Sequence, residues 1–387
     1  MGRHAIQQQF SQSDLNRWRL VEDFRERLAQ AMGKTAAHPS WSEPRRLLHC
    51  ADYLSLFLFG LLNPVVQTMR GLCAASRLQR VQEEVCSRAV SLGSFSEAQH
   101  VLDPALLAEV FSQLSQELPG PARGAGARAW LIQDSSLFDA LPRMYWALWR
   151  RQGKEQAQVR LHLALELNGG PARALITSGK TCERAAWRRQ WRRGEAYVAD
   201  RYYGEDYQLL AQLEEAGVAF AVRLRDQAVI EVEEELPMRQ ADQRAKVIRS
   251  AWVRLGCNAR HRSIRLRVVW VQTPKEILRL VTNLGPEELG AGEVALLYKE
   301  RWQIELFFRW VKCILGCRHW LAQSPRGTAI ELYLALIAAL LLQLYTGSRP
   351  NRRLMEMIRW YLCGVASLEE LWAGVQAAQA GQGRKKS

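Results

Sequence analysis

Residues 298–312 read YKERWQIELFFRWVK, and their periodicity predicts a helix with a polar stripe beside an apolar face. At about 100° per residue, four polar side chains share an arc of roughly 60°: Tyr298, Arg301, Glu305 and Lys312. The adjoining arc is apolar and consists of Ile304, Phe307, Phe308, Val311, Ile314 and Leu315. We therefore expect Glu305 to be held rigidly beside a buried core. The alternative interpretation is a solvated ladder of i, i+4 ion pairs.

Two aspartates elsewhere in the chain come at the end of short apolar runs. AWLIQD ends at Asp134, and AYVAD ends at Asp200. If the two runs form neighbouring strands, those strands are about 4.8 Å apart, and both carboxylates can bind one hard divalent cation. Asp139 competes with Asp134 for this role. Ordinary turn chemistry at a strand end is the alternative reading of either aspartate taken alone.

Along the chain, the sequence pattern changes from one typical of helices to one typical of mixed helices and strands. Residues 45–118 are helix-like, and the Gly- and Pro-rich stretch 117–128 predicts a domain boundary. Beyond it, short strands alternate with helices, and Asn168-Gly169 marks a hairpin turn. Residues 226–284 are rich in strand patterns, and the chain is helical again from residue 293. The pattern predicts an α/β fold with a mixed sheet flanked by helices.

Charge points to a polyanionic partner. Lysine and arginine number 53 against 39 aspartates and glutamates, which gives a net charge of +14, and nucleic acid is the simplest such partner. Two arginine clusters fit a DNA track: Arg184, Arg188, Arg189, Arg192 and Arg193, and then Arg260, Arg262, Arg265 and Arg267. For each of these arginines taken singly, a solvated surface position is favoured over a DNA contact.

Membrane insertion is not expected. The start of the chain lacks a secretory pattern. Residues 329–345 are apolar, but only residues 332–342 are uninterrupted, whereas a bilayer needs about 20 residues. We expect a helix buried in a protein core. The eight cysteines show no metal or disulfide framework, which favours a cytoplasmic protein. Cys313, Cys317 and His319 form at most an incomplete zinc corner.

The spacing of Tyr298, Arg301, Glu305 and Lys312 resembles the Tyr-Arg-Glu-Lys signature of DDE transposases of the insertion-sequence-four family. VADRYY around Asp200 and LRLVTNL before the signature helix also look like that family, and the resemblance covers about residues 125–346. It implies a ribonuclease-H-like catalytic fold. It also implies that Asp134, Asp200 and Glu305 are catalytic and bind two Mg²⁺ ions, for which Mn²⁺ can substitute. Tyr298, Arg301 and Lys312 would then contact the transposon end.

This resemblance suggests a division of the chain into five regions. Their bounds are 1–122, a helical amino-terminal domain for DNA-end binding or dimerisation; 123–225, the first part of the catalytic core; 226–292, a β-rich insertion; 293–346, the second part of the core; and 347–387, a helical carboxy-terminal region with a basic tail.

The implied activity is cut-and-paste transposition. The family resemblance suggests cleavage at the inverted ends, a hairpin intermediate, strand transfer into target DNA, and a homodimer in the DNA complex. Such a protein would be cytoplasmic and associated with the nucleoid. Trp270, Trp302 and Trp310 are available for stacking on a displaced base, but the sequence assigns that role to none of them, and core packing is the favoured use for most of the 14 tryptophans. Two alternatives remain open: a ribonuclease-H-fold nuclease without strand transfer, and a domesticated DNA-binding protein that has lost catalysis.

Overall fold

A ten-stranded mixed sheet forms the centre of the protein. The computed structural model describes residues 19–34, 41, 46–118, 128–151, 153–256, 263–313, 315–316, 320–349 and 351–383. The strands are β1 (Trp130–Asp139), β2 (Leu148–Arg151), β3 (Lys154–Glu166), β4 (Pro171–Ser178), β5 (Ala196–Ala199), β6 (Ala219–Arg223), β7 (Ile230–Glu235), β8 (Val247–Leu255), β9 (Ile264–Gln272) and β10 (Ile277–Thr282).

Three parallel strands lie at the middle of this sheet. β1 is parallel to β5, and β5 is parallel to β6. On the other side of β1, β3 is antiparallel and separates β1 from β4, so this half of the sheet has the order 4-3-1-5-6. These observations confirm the predicted α/β class with a ribonuclease-H-like mixed sheet flanked by helices.

The predicted β-rich insertion contains β7–β10 and continues the same sheet. β10 pairs with β6 in antiparallel orientation, and β9, β8 and β7 follow in that order. The hydrogen-bonded ladder therefore runs without a break from the parallel centre into the insertion. The five domain bounds themselves remain a prediction, and most of the stretch expected to separate the first two regions lies outside the described residues.

Fifteen α-helices are seen in the described residues. They are α1 (Arg19–Lys34), α2 (Cys50–Leu62), α3 (Met69–Ala75), α4 (Gln79–Glu84), α5 (Leu92–Val101), α6 (Ala105–Glu117), α7 (Glu183–Arg188), α8 (Arg201–Gly204), α9 (Tyr207–Glu215), α10 (Gln240–Arg244), α11 (Ala291–Glu300), α12 (Trp302–Cys313), α13 (Pro325–Thr346), α14 (Arg352–Leu362) and α15 (Leu368–Gly383).

Helix α13 is the centre of the largest apolar core. Its buried residues pack with α2, α5 and α6 of the amino-terminal region, with β1 and β3, and with α12. By length and composition alone α13 could cross a membrane, but 78% of its most apolar stretch is buried inside the protein. The prediction of a buried helix at residues 329–345 is therefore confirmed. Because α13 joins amino-terminal helices to the sheet, it also supports β1, the strand that carries Asp134.

One acidic residue, Glu331, lies inside this apolar helix. Its Oε2 accepts hydrogen bonds from the backbone N–H groups of Leu321 and Ala322 at 3.1 and 3.3 Å. Burial raises the pKa of Glu331 to about 8, and the two N–H groups only partly oppose that rise. A neutral carboxyl is thus the form that the core favours at moderate pH.

We predict that Glu331→Gln removes a pH dependence of stability. The unfolded chain releases the proton of Glu331 near pH 4.5 and the folded chain near pH 8, so the folded state is stabilised at low pH and loses that stability as the pH rises through this window. At pH 9 the variant should be more stable than the parent by a few kcal/mol, at roughly 1.4 kcal/mol per pKa unit. Denaturant unfolding from pH 5 to 9 measures the difference. The exposed Glu287 provides the control Glu287→Gln, and parallel pH profiles for the parent and Glu331→Gln would contradict the assignment.

Candidate active site

Asp134 and Asp200 lie next to each other at the middle of the sheet. In the parallel register, Gln133 of β1 is opposite Ala199 of β5, so the two aspartates are the next residues on the two strands. The predicted adjacency is confirmed. The expectation that both strands end at the aspartates is wrong for β1, which continues to Asp139 because its residues after Asp134 keep their pairing with β3. Asp134 therefore lies where β1 extends beyond β5 and the sheet opens.

Local hydrogen bonds fix one oxygen of each aspartate. Oδ1 of Asp200 accepts from the N–H of Tyr202 at 2.9 Å and caps α8. Oδ1 of Asp134 accepts from the N–H of Ser135 at 2.7 Å. Each carboxylate is thus oriented by its own backbone, and its second oxygen is available to another partner.

The electrostatics of the aspartate pair favour a shared cation. Burial, together with the negative charge of Asp200, raises the pKa of Asp134 to about 7. Burial also raises the pKa of Asp200, and the positive charge of Arg301 opposes that rise. Two partly desolvated carboxylates side by side repel each other, and a positive charge between or beside them relieves the repulsion.

The signature stretch forms two helices in place of the single predicted one. α11 ends at Glu300 and α12 begins at Trp302. At the break, the N–H of Arg301 donates to the carbonyl of Tyr298, and the N–H of Ile304 donates to the carbonyl of Arg301. These three-residue steps are tighter than α-helical ones. The prediction of a continuous helix is therefore wrong at Arg301.

Gln303 joins this break to two distant segments of the chain and to the end of α11. Its Oε1 accepts from the N–H of Asn168 at 3.1 Å and from Nη1 of Arg349 at 2.5 Å. Its Nε2 donates to Oδ1 of Asn168 at 3.1 Å and to Oε2 of Glu300 at 2.5 Å. These tertiary contacts fix the start of α12, and they are absent from any local sequence pattern.

Beyond the break, the predicted apolar face is confirmed. Ile304, Phe307, Phe308, Val311 and Leu315 are all buried, whereas Ile314 lies outside the described residues. This face is buried against β1 and α13. The polar stripe therefore faces the end of β5, where Asp134 and Asp200 lie.

Arg301 bridges two of the predicted acidic residues. Its Nη2 lies 2.5 Å from Oε1 of Glu305, and its Nη1 lies 3.7 Å from Oδ2 of Asp134. The side chains of Arg301 and Asp134 are each only 16% exposed. The guanidinium carbon is 5.8 Å from the centroid of the Tyr298 ring. The structure therefore gathers five predicted site residues: Asp134, Asp200, Tyr298, Arg301 and Glu305.

Lys312 lies farther along α12, toward the end of β1. Its Nζ is 4.9 Å from the centroid of the Phe138 ring. Asp139, the competitor of Asp134, lies at that same end of β1 and accepts a hydrogen bond from Gln158 at 3.2 Å. Of the two aspartates on β1, Asp134 is thus the one that contacts the signature arginine.

The donor set suits a hard cation, but Glu305 is held apart from the aspartates. Within the described ranges, no three Asp, Glu, His or Cys side chains stand in an arrangement ready to bind one metal ion. Asp134 and Asp200 present adjacent carboxylate oxygens, the ligands that Mg²⁺ prefers. Glu305 is joined to Asp134 through the side chain of Arg301, which contacts both carboxylates. Of the predicted zinc corner, Cys317 and His319 lie outside the described residues.

A polar network beside Asp134 was not anticipated from the sequence. Arg160 of β3 donates to Oγ of Ser135 at 2.8 Å and forms an ion pair with Glu183. The hydroxyl of Tyr203 donates to Glu183 at 3.5 Å. Arg160 alternates with apolar residues along β3, a pattern that usually marks a solvent face, yet it is buried beneath α7. Its position in the alternation therefore gave no signal of burial.

Several arginines of the expected DNA track are engaged within the protein. Arg267 is fully buried and donates to the carbonyls of Leu284 and Leu289, so its predicted surface role is wrong. Arg184 pairs with Glu205 at 3.0 Å, Arg188 with Asp206 at 2.8 Å, and Arg265 with Glu233 at 2.9 Å. Arg189, Arg192 and Arg193 are exposed, while Arg260 and Arg262 lie outside the described residues.

The three candidate tryptophans differ in exposure. Trp310 is buried, and Trp270 is half-buried with the guanidinium of Arg249 4.7 Å from its ring centroid. Trp302 is 49% exposed at the start of α12. Core packing is therefore confirmed for Trp310.

Comparison with known proteins agrees with this geometry. The family model described as a transposase DDE domain matches residues 130–341. A protein of Sinorhizobium fredii named as a transposase, y4zB, is 27% identical over 66% of this chain and 71% of its own length. A Geobacillus stearothermophilus protein named as a transposase for insertion sequence element IS5377 is 25% identical over 59% of this chain and 61% of its own length. A Synechocystis protein named for insertion sequence element IS4SA is 35% identical over 21% of this chain and 25% of its own length.

The sheet, the paired aspartates and the signature helix thus define an enzyme of the transposase type. Because the matched domain spans more than half of the chain, from β1 into α13, the protein belongs to the DDE-domain transposases. Membership of the insertion-sequence-four family within that group stays a prediction.

We predict that Arg160→Met destabilises the protein by about 2 kcal/mol, because it leaves the half-buried Glu183 charged without its partner. The double variant Arg160→Met/Glu183→Gln should recover most of this loss. Denaturant unfolding of the parent, both single variants and the double variant measures the coupling. If Arg160→Met destabilises the parent and the Glu183→Gln variant by the same amount, the two residues do not act as a unit.

Proposed function

We propose that this transposase cleaves DNA at the inverted ends of an insertion sequence and joins the freed 3′ hydroxyls to target DNA by a cut-and-paste route. The observation that carries the proposal is the meeting of Asp134 and Asp200, on adjacent parallel strands, with Arg301 and Glu305 of the signature segment. In this proposal Asp134, Asp200 and Glu305 are the catalytic residues, and they hold two Mg²⁺ ions, for which Mn²⁺ can substitute.

The protein's own part in the reaction is to place and neutralise a phosphodiester. Bound divalent ions would supply activation of the attacking oxygen and stabilisation of the leaving one. Arg301 has a planar fork of donors that matches two phosphate oxygens, and the nearby Tyr298 ring limits the directions in which the fork can point. Lys312 would make a point contact with the DNA backbone farther along α12, near Phe138.

The overall charge of +14 supports binding of both transposon-end and target DNA. We further propose that the DNA complex contains a homodimer, that the protein acts in the cytoplasm on nucleoid DNA, and that end processing passes through a hairpin. These statements rest on the family resemblance. A nuclease without strand transfer and a DNA-binding protein without catalysis are the outcomes against which the proposal is tested.

We predict that Asp200→Ala or Glu305→Ala abolishes nicking, with a loss of at least about 10³-fold, because each removes a carboxylate from the reacting centre. Binding to an end duplex should persist. The assay uses purified protein, Mg²⁺ and a plasmid bearing the inverted repeats that flank the gene. Glu287→Ala, at an exposed carboxylate, is the control. Normal cutting by either variant would overturn the site assignment.

The same assay separates the three functions for the parent protein. Joined products support the transposase, hydrolysis without joining supports the nuclease, and binding without cleavage supports the inactive binder.

Lys312→Ala should have a different effect. Because Lys312 lies at the end of β1, away from the aspartate pair, we expect weaker end binding with a smaller dependence on salt and reduced strand transfer. Binding to a labelled end duplex between low and moderate salt, together with strand-transfer yield, measures both effects. The exposed Arg309 of the same helix gives the control Arg309→Ala, and unchanged binding and transfer in Lys312→Ala would exclude the proposed contact.

A further inference from the structure

Arg301 occupies the place where positive charge is needed among the acidic residues. It contacts Asp134 and Glu305 through two different nitrogens, and its charge also acts on Asp200. A guanidinium that bridges two carboxylates stabilises them as a cation would. Its positive charge disfavours a divalent ion on the same carboxylates, because Mg²⁺ would have to approach their oxygens to about 2.0 to 2.1 Å.

We propose that Arg301 couples DNA-end binding to completion of the metal site. In the DNA-free protein its guanidinium bridges Asp134 and Glu305 and keeps Glu305 away from the aspartate pair. When a backbone phosphate of the DNA end arrives, the guanidinium turns to the phosphate and releases both carboxylates to a divalent cation. This inference rests on the proposed function and adds its regulation.

The geometry of Glu305 supports this role. No three potential ligands among the described residues form a metal-ready cluster, although Asp134 and Asp200 are already adjacent. The missing third carboxylate is Glu305, and the contact that holds it is the 2.5 Å ion pair with Arg301. Breaking that one ion pair frees the carboxylate from its only described charged partner.

The surroundings of Arg301 allow the side chain to move while the backbone stays in place. The four hydrogen bonds of Gln303 hold the start of α12 to Asn168, Glu300 and Arg349. The buried apolar face of α12 adds a second restraint on the helix. The guanidinium itself has only the two carboxylates and the Tyr298 ring as described partners. The guanidinium can therefore turn away from the carboxylates while the start of α12 stays anchored.

The exchange of partners is favourable in charge. A phosphate gives Arg301 two oxygens for its fork, which replaces the lost carboxylate contacts. The incoming divalent ion neutralises the released carboxylates. Because coupling of two binding events is reciprocal, DNA should raise the affinity for the metal by the same factor as the metal raises the affinity for DNA.

Mn²⁺ binding to the DNA-free protein tests the proposal without any measurement of activity. Arg301→Met keeps the length of the side chain and removes its charge, so it should release Glu305 and raise the Mn²⁺ affinity about tenfold, within the range usual for coupled sites. Titration followed by the electron paramagnetic resonance signal of free Mn²⁺ gives the affinity. Arg309→Met, on the exposed side of the same helix, is the matched control and should change the affinity less than about twofold. If Arg301→Met does not fold, Arg301→Gln is titrated in its place.

The possible results separate the coupling from the proposed function. If Asp200→Asn abolishes Mn²⁺ binding and Arg301→Met increases it, both stand. If Asp200→Asn abolishes binding while Arg301→Met leaves the affinity unchanged or lowers it, the metal site stands and the coupling is overturned. If Asp200→Asn does not affect Mn²⁺ binding, the ion binds elsewhere and the proposed function loses its site.

Discussion

Repulsion between two neighbouring carboxylates is the constraint around which this site is built. Parallel pairing of β1 with β5 places Asp134 directly beside Asp200, and partial burial makes their negative charges costly. Such a cost is relieved when one carboxylate is protonated or when a positive charge lies nearby. In the described structure Arg301 supplies that charge, and in the proposed reaction divalent ions take it over. The acidic pair and the arginine are therefore parts of one electrostatic arrangement.

The rest of the fold holds this arrangement in place from two sides. The antiparallel β3 keeps β1 extended past Asp134, and the ion pair of Arg160 with Glu183 fills the adjacent polar space. From the other side, α13 and its amino-terminal neighbours form the core on which the apolar face of α12 packs. Because α12 is fixed by both its apolar face and Gln303, the polar stripe faces the aspartates.

Much of this could be predicted from sequence, because it depends on local chemistry. The apolar face of α12 follows from helical periodicity, and the hairpin at Asn168, whose φ is +58°, follows from turn chemistry. The continuation of β1 past Asp134 could not be predicted, since it depends on which strand pairs beside it. The break at Arg301 and the burial of Arg267 were missed for a similar reason: both depend on hydrogen bonds to residues distant in the chain. Local patterns also cannot distinguish an arginine that binds DNA from one that holds carbonyl groups in a core.

The most direct test of the account is an anomalous-difference map from crystals of the protein bound to an end duplex and Mn²⁺. We expect a manganese peak within about 2.3 Å of carboxylate oxygens of Asp134, Asp200 and Glu305, with the guanidinium of Arg301 on a DNA phosphate. A peak away from these three residues, or Glu305 still paired with Arg301 beside a bound ion, would contradict it.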